Sequence, residues 1–221
     1  FGLYCKNVAT TLSADGKPVF VGGGRLINTQ WRDAQNRPIC YNVFAQWPKA
    51  GDQAGSQGNV STGGINNATS FNKWFNDIVG TNMSQSLTLN LMRQADGSYV
   101  FDDKLDSYYI SKGGFFPIDN QLLGNSGGTP KHNFHFTFEL HTMFTYDADT
   151  SQTFKFIGDD DVWVYIDGKL VIDLGGVHSA KEQFIDLKRL TWLQDGHDYS
   201  LDFFFAERHR TQSNFRIQTN L

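Results

Sequence analysis

Three things are scarce in these 221 residues. Cysteine occurs only twice, at Cys5 and Cys40, and two thiols alone do not make a zinc site. Positive charge is nowhere concentrated. With 19 Lys and Arg against 23 Asp and Glu, the net charge is −4 and the pI about 5.8. Without a basic patch the chain has no electrostatic footprint for nucleic acid. Long apolar runs are missing too. A membrane-crossing helix needs about 18 or more consecutive apolar residues, and nothing here approaches that, so no membrane insertion is expected. No secretory leader is visible at Phe1, which reads as the start of a mature or trimmed chain. Catalytic signatures are lacking as well: no Ser-His-Asp arrangement, phosphate-binding glycine loop, zinc motif or EF-hand loop.

What is abundant points to packed sheets. Aromatics make up 14% of the chain, with 19 Phe, 8 Tyr and 5 Trp, and aromatic side chains suit pleated surfaces. The 22 glycines, with many Asn, Asp and Ser, imply frequent turns and long loops. Residues 1–66 look irregular, with one strand possible in VFVGGGRLI and a long loop over GDQAGSQGNVSTGGINNATS. A Cys5–Cys40 disulfide closing this segment would stiffen it and imply an oxidising compartment. The competing reading is two buried, reduced thiols. Asn59, Asn67 and Asn82 each head an Asn-x-Ser/Thr sequon, a short pattern that also arises by chance in Asn-rich loops. SFNKWFNDIVG, residues 70–80, is the best helix, capped by Ser70 and ended by Gly80.

From residue 86 the apolar period falls to two. SLTLNLMR, HNFHFTFELHTMFTYD, TFKFIG, VWVYIDGKLVIDL, DYSLDFFFAERH and NFRIQTNL read as antiparallel strands, with turns at Asp167-Gly168 and Asp195-Gly196. The expected fold is all-β: one domain over residues 1–221, made of an antiparallel sandwich or barrel at 61–221 with one short helix. Residues 1–60 form a loop-rich extension.

KFIGDDDVWVYIDGKLVIDLGG, residues 155–176, raises a chemical question. Three adjacent carboxylates, Asp159, Asp160 and Asp161, repel one another at the end of a strand. Neighbouring side chains on a strand face opposite ways, so two of them can share one spot only if a bulge or cis peptide distorts the backbone. A calcium ion, which takes oxygen ligands, would offset the repulsion; a solvated acidic turn is the plain alternative. FFFAERHRTQSNFRI, residues 203–217, is a candidate loop to complete such a site, with a solvated loop that merely carries charge as the alternative. Its polar groups suit sugar hydroxyls.

The GDDDVWV-x-I-x-GKL-x-IDLGGVH and FFFAERH-x-T-x-SNFRI runs, in that order, resemble the fibro-slime domain. That domain is similar to the PA-fourteen (protective-antigen-like) β-barrel modules, and the resemblance runs from about residue 60 to 221. It implies a calcium-dependent carbohydrate-binding module of an adhesin. In such modules two adjacent aspartates joined by a cis peptide hold calcium, and sugar hydroxyls complete its shell. Carried onto this chain, the pair falls on Asp159 and Asp160, or one residue on at Asp160 and Asp161. Glu207 supplies the second loop's side-chain ligand, and the carbonyls of His209 and Thr211 follow. Asp161, His178, Arg208, Arg210 and Gln212 would line the sugar cleft. The resemblance further implies an extracellular or cell-surface location, within a larger multidomain protein. A structural or slime-matrix module with purely structural calcium is the alternative. A glycoside hydrolase is disfavoured, because calcium between Asp159 and Glu207 would keep both ionised and unfit for general acid work. His132, His135 and His141 read as structural, and Asp173 and Asp186, in alternating strands, as outward-facing acids.

Overall fold

The computed structural model describes residues 1–126 and 129–221. In chain order the strands are β1 (Tyr4–Cys5), β2 (Gly24–Thr29), β3 (Trp31–Arg32), β4 (Pro38–Ile39), β5 (Ser56–Ser61), β6 (Met92–Arg93), β7 (Tyr99–Asp102), β8 (Phe136–Thr145), β9 (Thr153–Gly158), β10 (Asp161–Ile166), β11 (Lys169–Leu174), β12 (Lys181–Asp186), β13 (Asp198–Glu207) and β14 (Phe215–Thr219). Among the described residues three short α-helices interrupt them, α1 (Tyr41–Gln46), α2 (Ala68–Phe71) and α3 (Ser107–Lys112).

Two antiparallel sheets make the body. One runs β11-β10-β13-β8 and the other β12-β9-β14-β7-β6. They form a sandwich, not the closed barrel that the resemblance allowed. Phe101, Phe115, Phe156, Phe203, Phe205 and Phe215 meet between the sheets, and Phe115 stacks on Phe215 at 4.3 Å. Each such ring contributes about 1.5–3 kcal/mol when fully buried.

The outer face of the first sheet is covered as well. Trp163, Tyr165 and Phe204 pack under Val8, Ile65, Phe71 and Phe75 from the N-terminal third. Burial on both faces explains why β10, DVWVYI, is apolar almost throughout rather than alternating. The hairpin turn is as expected: Asp167 and Gly168 both sit at positive φ, 51° and 68°, as a type I′ turn requires.

Four expectations change. SLTLNLMR pairs only at Met92–Arg93; Leu87 and Leu89 rest against the core outside any strand. The helix begins earlier and is shorter, at Ala68–Phe71. Asn67 is its cap, and Ser70 is the reciprocal member of the capping box. The N-terminal third holds a real sheet, β1-β2-β5, inside what reads as loop. The expected disulfide is absent: Cys5 and Cys40 are buried free thiols. The Cys5 Sγ points at Gln57 Oε1, 3.8 Å away. Burial pushes the Cys5 thiol up to about 12 and raises that of Cys40 as well, so neither is a ready thiolate.

Candidate functional site: a buried carboxylate crossover

The acidic run is where the chain changes sheets. β9 ends at Gly158 in the second sheet and β10 begins at Asp161 in the first. Residues 207–214 make the reverse crossing, from β13 back to β14. Register sets the two crossings side by side, with Gly158 opposite Phe215 and Asp161 opposite Ala206.

The distortion expected at the aspartates is present in another form. The peptide bonds of the run are trans, and Asp160 instead adopts a left-handed φ of 58°. That conformation is costly for a non-glycine residue and usually marks a constrained site.

Each carboxylate has its own partners. Asp159 grips Asn214 twice: Oδ1 accepts from the backbone N–H at 2.6 Å and Oδ2 from the side-chain amide at 2.7 Å. Asp160 accepts the Arg208 N–H at 2.7 Å and the His178 N–H at 3.3 Å. Asp161 pairs with Arg208 Nε at 2.6 Å and accepts the Gly176 N–H at 2.7 Å. Glu207 Oε1 accepts the His209 N–H at 2.9 Å, while Oε2 is buried without a partner. The Ser213 hydroxyl is buried beside it and, though outside hydrogen-bonding geometry, works to lower the Glu207 carboxyl.

Charge is unbalanced here. Asp159, Asp160, Asp161 and Glu207 are 3%, 0%, 0% and 1% exposed, and among the described residues Arg208 is the one guanidinium paired with them. Burial raises the Glu207 carboxyl strongly, and the charges of Asp160 and Asp159 push the same way. Asp160 is raised by burial first and by Asp161 and Asp159 after it. Buried carboxylates in such excess need protons or a cation.

Of the residues singled out in the sequence, Asp159, Asp160 and Glu207 converge on one crossing. Asp161 is held by the Arg208 guanidinium. Arg208 is turned inward: it also donates to the Gly63 carbonyl at 2.8 Å and lies over the Trp74 ring at 5.1 Å. His178 is buried, its ring nitrogens directed at the Ser179 and Leu174 carbonyls. His209 is half-buried, with its ring 4.8 Å from Phe1. Arg210, Thr211 and Gln212 form the exposed tip of the loop. Asn214 was missed as a partner of the acidic run; its place opposite Asp159 follows from strand register, which no local motif reveals.

The donor set is all oxygen, as a hard cation requires. It is not a closed coordination sphere: among the described residues, no three His, Cys, Asp or Glu side chains stand so as to hold a metal by themselves. Beside Glu207 and Arg208 opens a cleft of about 670 Å³, whose wall includes Trp74, Leu87, Ile118, His135 and Phe138.

Comparison with known proteins matches part of the chain. The PA14 domain family matches residues 118–221, from before β8 through β14. That is a narrower span than the resemblance drawn from residue 60. Similar curated proteins come from Dictyostelium discoideum. Protein psiI is 42% identical over 150 residues, covering 64% of this chain and 19% of psiI. Protein psiH is 45% identical over 128 residues, covering 55% and 18%. Protein psiD is 37% identical over 163 residues, covering 71% and 30%. The chain thus spans less than a third of the length of each of these relatives. Their names point to neither the fibro-slime domain nor sugar binding. Among solved structures, the GH31 alpha-xylosidase from Xanthomonas citri aligns with 98% of this chain and 15% of its own, at 10% identity and a TM-score of 0.30. So distant a likeness carries no argument about this chain.

Proposed function

We propose that this chain is a non-catalytic carbohydrate-binding module of an exported, surface-displayed multidomain protein, of fibro-slime type, with calcium bound where its two crossovers meet. The observation that carries the calcium reading is the charge excess: four buried carboxylates and one guanidinium. Asp159, Asp160 and Glu207 would hold the ion, with the carbonyls of His209 and Thr211 carried over from the family resemblance. Calcium would neutralise the excess and give the Glu207 oxygen that lacks a partner something to bind. The PA14 match and the exposed polar tip, Arg210-Thr211-Gln212, support the sugar reading. Glu207 is too deeply buried to protonate a glycosidic oxygen, which argues against hydrolysis.

The depth of the carboxylates favours a second reading, in which calcium only fastens the loops and contacts no sugar. A glycan array in millimolar calcium and again in excess EDTA separates the two when read beside melting curves. The lectin predicts a defined glycan set that is lost in EDTA, and loss of that set in a folded Asp160→Ala variant. Purely structural calcium predicts a higher Tm with calcium and no EDTA-sensitive glycan. An unchanged Tm with calcium would defeat both.

A further inference from the structure

The three sequons differ sharply in the folded chain, and the carboxylate crossover accounts for none of them. We propose that Asn59 and Asn67 are acceptors of N-linked glycans and that Asn82 is not; the proposal rests on the reading that the chain is exported. In the reaction, the asparagine Nδ2 attacks the anomeric carbon of an oligosaccharide carried on a lipid diphosphate. The new N–C bond replaces the carbon–oxygen bond to phosphate. The lipid diphosphate leaves with that electron pair, and one amide proton goes to the transferring enzyme's base. The product therefore keeps one amide hydrogen where asparagine had two.

That single hydrogen decides between the sites. Asn82 uses both. Its Nδ2 donates to the Lys73 carbonyl at 2.7 Å and to the Asn76 carbonyl at 2.6 Å, while its Oδ1 accepts the Ile78 N–H at 2.7 Å. It is the internal tie of the 73–82 loop, and a sugar on Nδ2 removes one bond and forces the loop open. Asn67 uses only its oxygen, which accepts the Ser70 N–H at 2.8 Å as the α2 cap. The residue is exposed and its Nδ2 has no partner among the described residues, so the cap survives modification.

Asn59 is freer still. Arg25 pairs with Val60 and Ile27 with Gln57, so Leu26 faces two residues, Gly58 and Asn59. Asn59 thus lies in a β-bulge, exposed, with no partner for its carboxamide among the described residues. The bulge is on β5, which pairs only with β2 among the described residues and forms the free edge of the β1-β2-β5 sheet. Val60 beside it is 58% exposed. A glycan at Asn59 covers an edge that would otherwise be open to pairing with another chain.

The test is site mapping of the 221-residue chain, secreted from a eukaryotic host behind a cleavable leader. Enzymatic deglycosylation in heavy-oxygen water turns each modified asparagine into labelled aspartate. Label at 59 and 67 with none at 82 is expected, as is loss of one glycan's mass in each of Asn59→Gln and Asn67→Gln. Asn82→Gln should show no mass loss. Label at Asn82, or its absence at Asn59 or Asn67, would overturn the proposal. The outcome is independent of whether the module binds sugar, so the two readings fail separately.

Discussion

At the scale of single residues, Asp173 shows how burial turns a strand carboxylate into a pH-dependent liability. Read in sequence as an outward-facing acid, it is instead 3% exposed. Its Oδ2 accepts the Lys6 N–H at 2.8 Å, and its Oδ1 and the Trp163 indole N–H are both buried without partners. Burial lifts its pKa to about 7, and the Lys6 amide N–H works against that rise. The folded state therefore holds this proton more tightly than the unfolded state. The stability it confers is complete below the unfolded pKa near 4 and is lost as pH rises through about 7. Asp173→Asn should remove that loss, so its Tm relative to the parent should rise between about pH 4 and pH 7 and level off above, as checked by calorimetry. Gly158 matters for a different reason. A Cβ there would sit 2.4 Å from the Asn214 carbonyl and 2.5 Å from the Phe156 ring. Gly158→Ala should cost about 1–3 kcal/mol, as overpacking does, and push Asn214 off Asp159. Urea unfolding measures the first effect, and loss of the stabilisation that the proposed calcium would bring measures the second.

At the scale of elements, the strands legible in the sequence were those whose neighbours are also strands. β8, β9, β13 and β14 alternate, and Asp167-Gly168 marks the β10–β11 hairpin, whereas the turn at Asp195-Gly196 leads into β13 from a strand of the other sheet and joins no hairpin. SLTLNLMR alternates equally well but has no strand pairing at residues 86–91, and period alone cannot report a missing neighbour. β5, SQGNVS, was illegible for the opposite reason: it is nearly all polar, and only pairing with β2 makes it a strand. The site divides the same way. Asp159–Asp161, Glu207 and Arg208 stand out as charges breaking apolar strands, whereas Asn214 and the inward turn of Arg208 depend on which crossings lie side by side. The β10–β11 hairpin provides a control. Gly168 is at φ 68°, and the space a Cβ would take there is open, so Gly168→Ala should cost about 1 kcal/mol through strain alone. A drop of a few degrees in Tm with unchanged ligand binding would bear that out.

At the scale of the whole molecule, the module's exposed loop tip is small, and its relatives are several times its length. A single shallow site of this kind binds weakly, and display in many copies raises avidity by about 10²–10⁴. On the proposed sugar-binding reading, a streptavidin-tetramerised chain should therefore bind a glycan surface far more tightly than the monomer, by surface plasmon resonance. Equal apparent affinity for the two forms would count against an adhesive role. The order of strands has one more consequence. β14, the latest strand in the chain, lies between β9 and β7 in the middle of its sheet, and Asn214 immediately before it closes on Asp159. During synthesis, residues 99–207 leave the ribosome while this slot is still empty. The acidic crossing is thus assembled last, by an insertion that must wait until residue 219 has emerged. Until then the nascent chain exposes the apolar flanks of β7 and β9, and that is the interval in which a chaperone would be needed most.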